Sequence, residues 1–123
     1  MQFALLISLF ICHFLADYCL TTPKMIKAKA SGKGLYHILY HSCVHAILIG
    51  IVFVLFGFSL KICALLFLIE MISHFIIDYC KGLVGRVFPA FADNSQKAFW
   101  VLYGFDQLLH LLVIVAMIYI ALY

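Results

Sequence analysis

Charge is what this sequence has least of. Asp, Glu, Lys and Arg make up 11% of its 123 residues and 67% are hydrophobic, a balance that excludes an ordinary soluble domain and implies a single integral membrane domain. The small positive surplus falls almost wholly between apolar runs, where it reports topology, so nucleic acid is not expected as a partner. No C-x-x-C pair occurs among Cys12, Cys19, Cys43, Cys63 and Cys80. All five lie in or beside apolar runs and read as small buried hydrophobes, which argues against a disulfide framework. The first apolar run, Phe3 to Leu20, has no basic segment ahead of it and no small-residue cleavage site. We therefore read it as a retained helix and not a discarded leader.

Four apolar runs follow one another, giving an all-α bundle of four transmembrane helices over about residues 3–21, 35–57, 60–80 and 98–122. Thr21-Thr22-Pro23 stops the first, and the loop that follows carries Lys24, Lys27, Lys29 and Lys33 with no acid. That places the loop in the cytoplasm. Gly57-Phe58-Ser59 makes a tight turn on the outer side. Lys81, Arg86 and Lys97 bring the next connection, with its Gly82, Gly85 and Pro89, back to the inner side. Both termini then face outward, in a multi-pass protein of a bacterial inner membrane.

Against this apolar background, Glu70, His74 and Asp78 stand four residues apart. On a helix they form one stripe that drifts by only ~40° per step. An ionisable residue at mid-membrane costs ~2.5–3.5 kcal/mol on insertion scales. Three further pairs have the same spacing: His13 with Asp17, His41 with His45, and Asp106 with His110. Each pair lies near the cytoplasmic end of its helix, so all four share one layer of the bilayer, and Glu70 is about one turn deeper.

Imidazole and carboxylate together suit zinc, with manganese or iron also served by these donors. A catalytic zinc needs only three protein ligands. Eight candidates (His13, Asp17, His41, His45, His74, Asp78, Asp106 and His110) exceed that and point to two or more divalent ions sharing bridging carboxylates. Glu70 or an aspartate such as Asp78 is the candidate general base. Lys81, on the same stripe, is read either as a contact for an anionic headgroup or as a positive-inside anchor. Gln107, beside Asp106, is a candidate substrate contact. His37, near the interface, reads as a hydrogen-bonding residue. Haem would be ill served by the adjacent aspartates.

The motifs His13-x-x-x-Asp17, His41-x-x-x-His45, His74-x-x-x-Asp78-x-x-Lys81 and Asp106-Gln107-x-x-His110 resemble those of a small bacterial and phage inner-membrane family of unknown function. More loosely, the pattern is similar to membrane-bound metal-dependent hydrolases of the YdjM type, themselves thought to be related to zinc-dependent phospholipase C and P1-type nucleases. This resemblance implies a multinuclear zinc site that cleaves phosphoesters. One departure is Thr21-Thr22, where the family usually carries a Gln.

The expected function is a membrane-embedded metal-dependent hydrolase acting on a phospholipid or lipid-linked phosphate from the cytoplasmic leaflet. Two alternatives stay open: a divalent-metal or proton transporter, and a structural or regulatory subunit whose metal only holds the bundle together. A continuous polar path is not visible within one chain, and a homo-oligomer is left open.

Overall fold

A computed structural model describes residues 2–123 as helices joined by short connections, with no strand among them. Helix α1 (Gln2–Phe14) continues into a π-helical turn, Leu15–Cys19. Then come α2 (Pro23–Ser31), α3 (Leu35–Leu55), α4 (Leu60–Val87), a 3-10 turn (Pro89–Phe91) and α5 (Lys97–Leu122). Four spans are long and apolar enough to cross a membrane: Gln2–Cys19, Leu35–Leu55, Leu60–Val87 and Lys97–Leu122. Their outer faces carry large exposed apolar side chains such as Ile51, Leu68, Ile76 and Leu112, a pattern compatible with helices that cross a membrane.

The turn between α3 and α4 shows how sequence sets topology. Gly57 takes φ +83°, a left-handed conformation open to glycine at little cost. Its N–H donates to Val54 O at 3.0 Å and Phe58 N–H to Phe53 O at 3.2 Å, the Schellman pattern that satisfies the last carbonyls of a helix. The Phe53 and Phe58 rings meet edge to face, with centroids 5.4 Å apart. Ser59 then caps α4 by accepting from Ile62 N–H at 3.4 Å. So short a link makes α3 and α4 an antiparallel pair.

Beside this turn the interior is apolar. Leu5, Leu9, Ile49, Phe53, Leu66, Ile114 and Met117 fill it, all 0–1% exposed. Every buried acid and histidine lies in the other half of the bundle.

At that other end, two expectations are corrected. Residues 21–34 are not an open loop, because α2 forms there. Thr22 Oγ1 accepts from Met25 N–H at 3.3 Å, Pro23 occupies the first turn, and Gly32 ends the helix at φ +59°. The third span also does not stop near residue 80 but runs to Val87. Gly82 and Gly85 lie inside it, and Gly82 lets the backbone of α2 press directly on α4. A Cβ at Gly82 would sit 2.4 Å from Lys29 O and 2.5 Å from Gly32 N. The extra two turns of α4 are thus the floor on which α2 rests.

Candidate metal centre

The four helices deliver their polar pairs to one place. His13, His41, His45, His74 and His110 lie ring against ring, with centroid separations between 3.7 Å (His45–His74) and 5.8 Å (His13–His74). His41, His45, His74 and Asp78 are fully buried, and Glu70 and Asp106 are nearly so. His37 is half-buried and belongs to no donor group.

Asp17 is the hub. The π turn that carries it is wider than an α turn, with Leu20 N–H reaching back five residues to Leu15 O at 2.9 Å. Its Oδ1 lies 3.1 Å from His41 Nε2 and 3.4 Å from His45 Nε2, and its Oδ2 lies 3.4 Å from His13 Nε2. Gln107 Nε2 donates to the same Oδ2 at 3.1 Å. One carboxylate therefore faces two sets of imidazoles.

Asp78 faces a third. Its Oδ2 is 3.5 Å from His74 Nε2 and its Oδ1 is 3.6 Å from His110 Nε2. Neither contact has hydrogen-bond geometry. Asp78 Oδ1 and Oδ2, both ring nitrogens of His13 and His45, His74 Nε2, His110 Nε2 and Asp106 Oδ1 are all buried without a hydrogen-bond partner. These are the only buried side-chain nitrogen and oxygen atoms in that condition among the described residues. Buried polar groups in proteins are nearly always satisfied, and each one left bare costs about 1–3 kcal/mol. Nine in one cluster need something to bind.

Three groups of atoms are close enough to hold an ion: His13, His45, Glu70 and His74; Asp17, His41, His45 and His74; and His74, Asp78 and His110. Within each group the donor atoms lie within 4.8 Å of one another. His74 is common to all three. Its Nδ1 is 3.1 Å from Glu70 Oε1, so donation there leaves the Nε2 lone pair facing Asp78. Glu70 thus orients His74 in addition to being a donor itself. Thr21 has a matching role, one that the departure from the family pattern left open. Its hydroxyl donates to Ala16 O at 3.0 Å and stands 3.3 Å from His41 Nδ1. With the hydroxyl proton committed to Ala16, His41 Nδ1–H donates to Thr21, and Nε2 offers its lone pair to the centre.

Asp106 belongs to none of the three groups. Lys81 Nζ donates to its Oδ2 at 2.6 Å and also lies 5.4 Å from the centre of the Tyr103 ring. Lys81 and Gln107 both line a cavity of about 300 Å³ beside the centre. Tyr18 and Tyr103, which share a hydroxyl–hydroxyl hydrogen bond, stand on its wall. Arg86 is exposed and does not line this cavity.

Reading the sequence missed Lys29. Counted among the loop lysines, it points from α2 into the centre, with Nζ 3.0 Å from Asp17 Oδ1, 3.0 Å from His41 Nε2 and 3.3 Å from Asp78 Oδ2. Burial opposes its charge, yet Asp78 and Asp17 together hold the ammonium above the ordinary lysine range. A signal was present. Met25, Ala28 and Gly32 recur at helical spacing, and the first two are buried residues of α2; Lys29 shares their face.

The sequence model of a family described as "Protein of unknown function (DUF3307)" matches residues 5–123. No curated protein and no solved structure matches the chain.

Proposed function

The chain belongs to the DUF3307 family, whose function is unknown, and from that premise we propose a membrane-embedded, metal-dependent hydrolase that cleaves a phosphoester of a lipid or lipid-linked substrate. The observation that carries this reading is the cluster of nine bare buried donor and acceptor atoms next to a cavity lined by Lys29 and Lys81. Imidazole lone pairs and carboxylate oxygens are the donor set of zinc, with manganese or iron as less favoured occupants. His13, His45, Glu70 and His74 would hold one ion, and Asp17 and His41, or Asp78 and His110, a second. Bound there, such ions would supply Lewis acidity and lower the pKa of a water towards ~7.

The chain's own groups do the rest. Lys29 and Lys81 neutralise the phosphate as it enters, and Gln107 donates hydrogen bonds at the cavity floor. Asp78 Oδ1, without a hydrogen bond and 3.6 Å from His110 Nε2, receives the proton of the attacking water and shares it with that imidazole, while Oδ2 keeps its cation partner. Glu70 and Thr21 fix the rings of His74 and His41. The apolar bundle keeps bulk water out, which strengthens each of these electrostatic contacts.

Seven of the eight basic residues lie at the α2 end. By the positive-inside tendency that end is cytoplasmic, with both termini on the other side of a bacterial inner membrane. The substrate then approaches from the inner leaflet. A transport function needs a polar path through the other half of the bundle, and that half is filled by Phe53, Leu66, Ile114 and Met117. Liposomes containing the protein are therefore expected to pass neither zinc nor protons.

The test is elemental analysis of protein purified in mild detergent, together with hydrolysis of a chromogenic phosphodiester and a short-chain phospholipid. Zinc should accompany the wild type and His37→Ala, and both metal and turnover should vanish in His74→Ala. A folded wild type without metal, or hydrolysis surviving in His74→Ala, refutes the proposal.

A further inference from the structure

Lys29 stands where a cation would be expected. Its ammonium touches Asp17 and His41, two members of one donor group, and Asp78, a member of another. It also lines the adjacent cavity, whose floor is Asp17, Lys29, Lys81 and Gln107 and whose walls include Phe99 and Leu102. A charged floor under apolar walls suits an amphiphile with a phosphate end. Both lysines are already paired with carboxylates, so the anion seat is incomplete as long as the acids keep them.

We infer that Lys29 is an exchangeable internal counter-ion: a divalent cation takes Asp17 and Asp78 from it, and the released ammonium joins Lys81 and Gln107 as a seat for a phosphate-type anion. This rests on the metal reading above and goes beyond it by coupling the two ligands. α2 is held on α4 by backbone contact at Gly82, so the exchange is a change of side-chain rotamer and needs no helix movement. Coupling is reciprocal, and the anion must tighten the cation as much as the cation tightens the anion.

The exchange can be followed by calorimetric titration of the full chain in detergent. Mn2+ alone is titrated first, then inorganic phosphate in one arm and dihexanoyl phosphatidic acid in the other, each with and without Mn2+. In the wild type, Mn2+ should tighten phosphate-type anions roughly 10- to 100-fold, the size of one or two charge-assisted hydrogen bonds. Lys29→Met should bind Mn2+ more tightly than wild type and lose most of that gain for the anion. Lys24→Met, on the exposed side of α2, should behave as wild type.

Tighter binding of the phosphatidic acid than of inorganic phosphate identifies a lipid source, and equal binding a free phosphate; both support the seat. If Lys29→Met weakens Mn2+ binding, or keeps the full anion gain, the exchange is overturned while the metal centre stands. If neither protein binds Mn2+, zinc or iron, the metal centre and the exchange fall together.

Discussion

The contact between α2 and α4 makes a sharp prediction for Gly82→Ala. The added Cβ would lie 2.4 Å from Lys29 O, 2.5 Å from Gly32 N and 2.7 Å from Gly32 Cα, all backbone atoms that cannot rotate away. Reaching the ordinary 3.4 Å contact means lifting α2 by about 1 Å. Overpacking of this kind costs about 1–3 kcal/mol, against a gain of up to ~1 kcal/mol from helix propensity. Three backbone contacts this short put the cost at the upper end of that range, so the net is a loss of about 2 kcal/mol. Gly104→Ala is the matched control, because a Cβ there meets nothing within 4 Å. It should be neutral or up to ~1 kcal/mol stabilising. SDS titration of detergent-purified protein, followed by helical circular dichroism, measures both. A second readout separates strain from simple damage. Lifting α2 draws Lys29 away from Asp17 and Asp78, now 3.0 and 3.3 Å from its ammonium, so Mn2+ should bind Gly82→Ala more tightly although the fold is weaker. A Gly82→Ala protein as stable as wild type refutes the backbone contact. A loss of both stability and Mn2+ affinity refutes the competition.

Asp106→Asn should cost about 1–3 kcal/mol by leaving Lys81 without its 2.6 Å partner, yet leave metal content unchanged, since Asp106 is in none of the three donor groups. Loss of metal on elemental analysis would mean that the groups are drawn wrongly. Phe53→Ala, in the apolar half, should lower SDS resistance by about 3–5 kcal/mol through the cavity it leaves, with full metal content retained. Metal lost there as well would show that the two halves are one cooperative unit.

The four long helices and the convergence of the polar pairs were legible in the sequence because hydropathy and a four-residue helical spacing are local signals. What was not legible depended on how residues far apart in the chain meet. Gly82 and Gly85 looked like loop residues because glycine is a poor helix former in isolation. In the fold, Gly82 is the place where two backbones touch. The Thr22-Pro23 start and Gly32 stop of α2 were readable as caps, but the lysines between them carried the topology signal and hid the helix. Lys29 was lost for the same reason. The π turn at Leu15–Cys19 has no counterpart in residue type. It is visible only through its backbone bonds and through the two-sided use of Asp17.

Charge balance sets how many ions the centre can take. With all four ionised, Asp17, Glu70, Asp78 and Asp106 face only two ammonium groups, Lys29 and Lys81, leaving two negative charges in an apolar bundle. One divalent cation cancels them. A second overshoots by two, a charge the bundle cannot hold unaided when each buried ion costs several kcal/mol, but which a phosphate dianion would cancel. The protein purified without phosphate should therefore carry close to one divalent ion per chain, and titration with zinc in the presence of inorganic phosphate should raise this towards two. Two ions without an anion would mean that the neutralisation comes from elsewhere, and a stoichiometry fixed at one under both conditions would rule out a two-metal hydrolase. The second result would leave a single ion held by His13, His45, Glu70 and His74, with Lys29 as a permanent partner of Asp17.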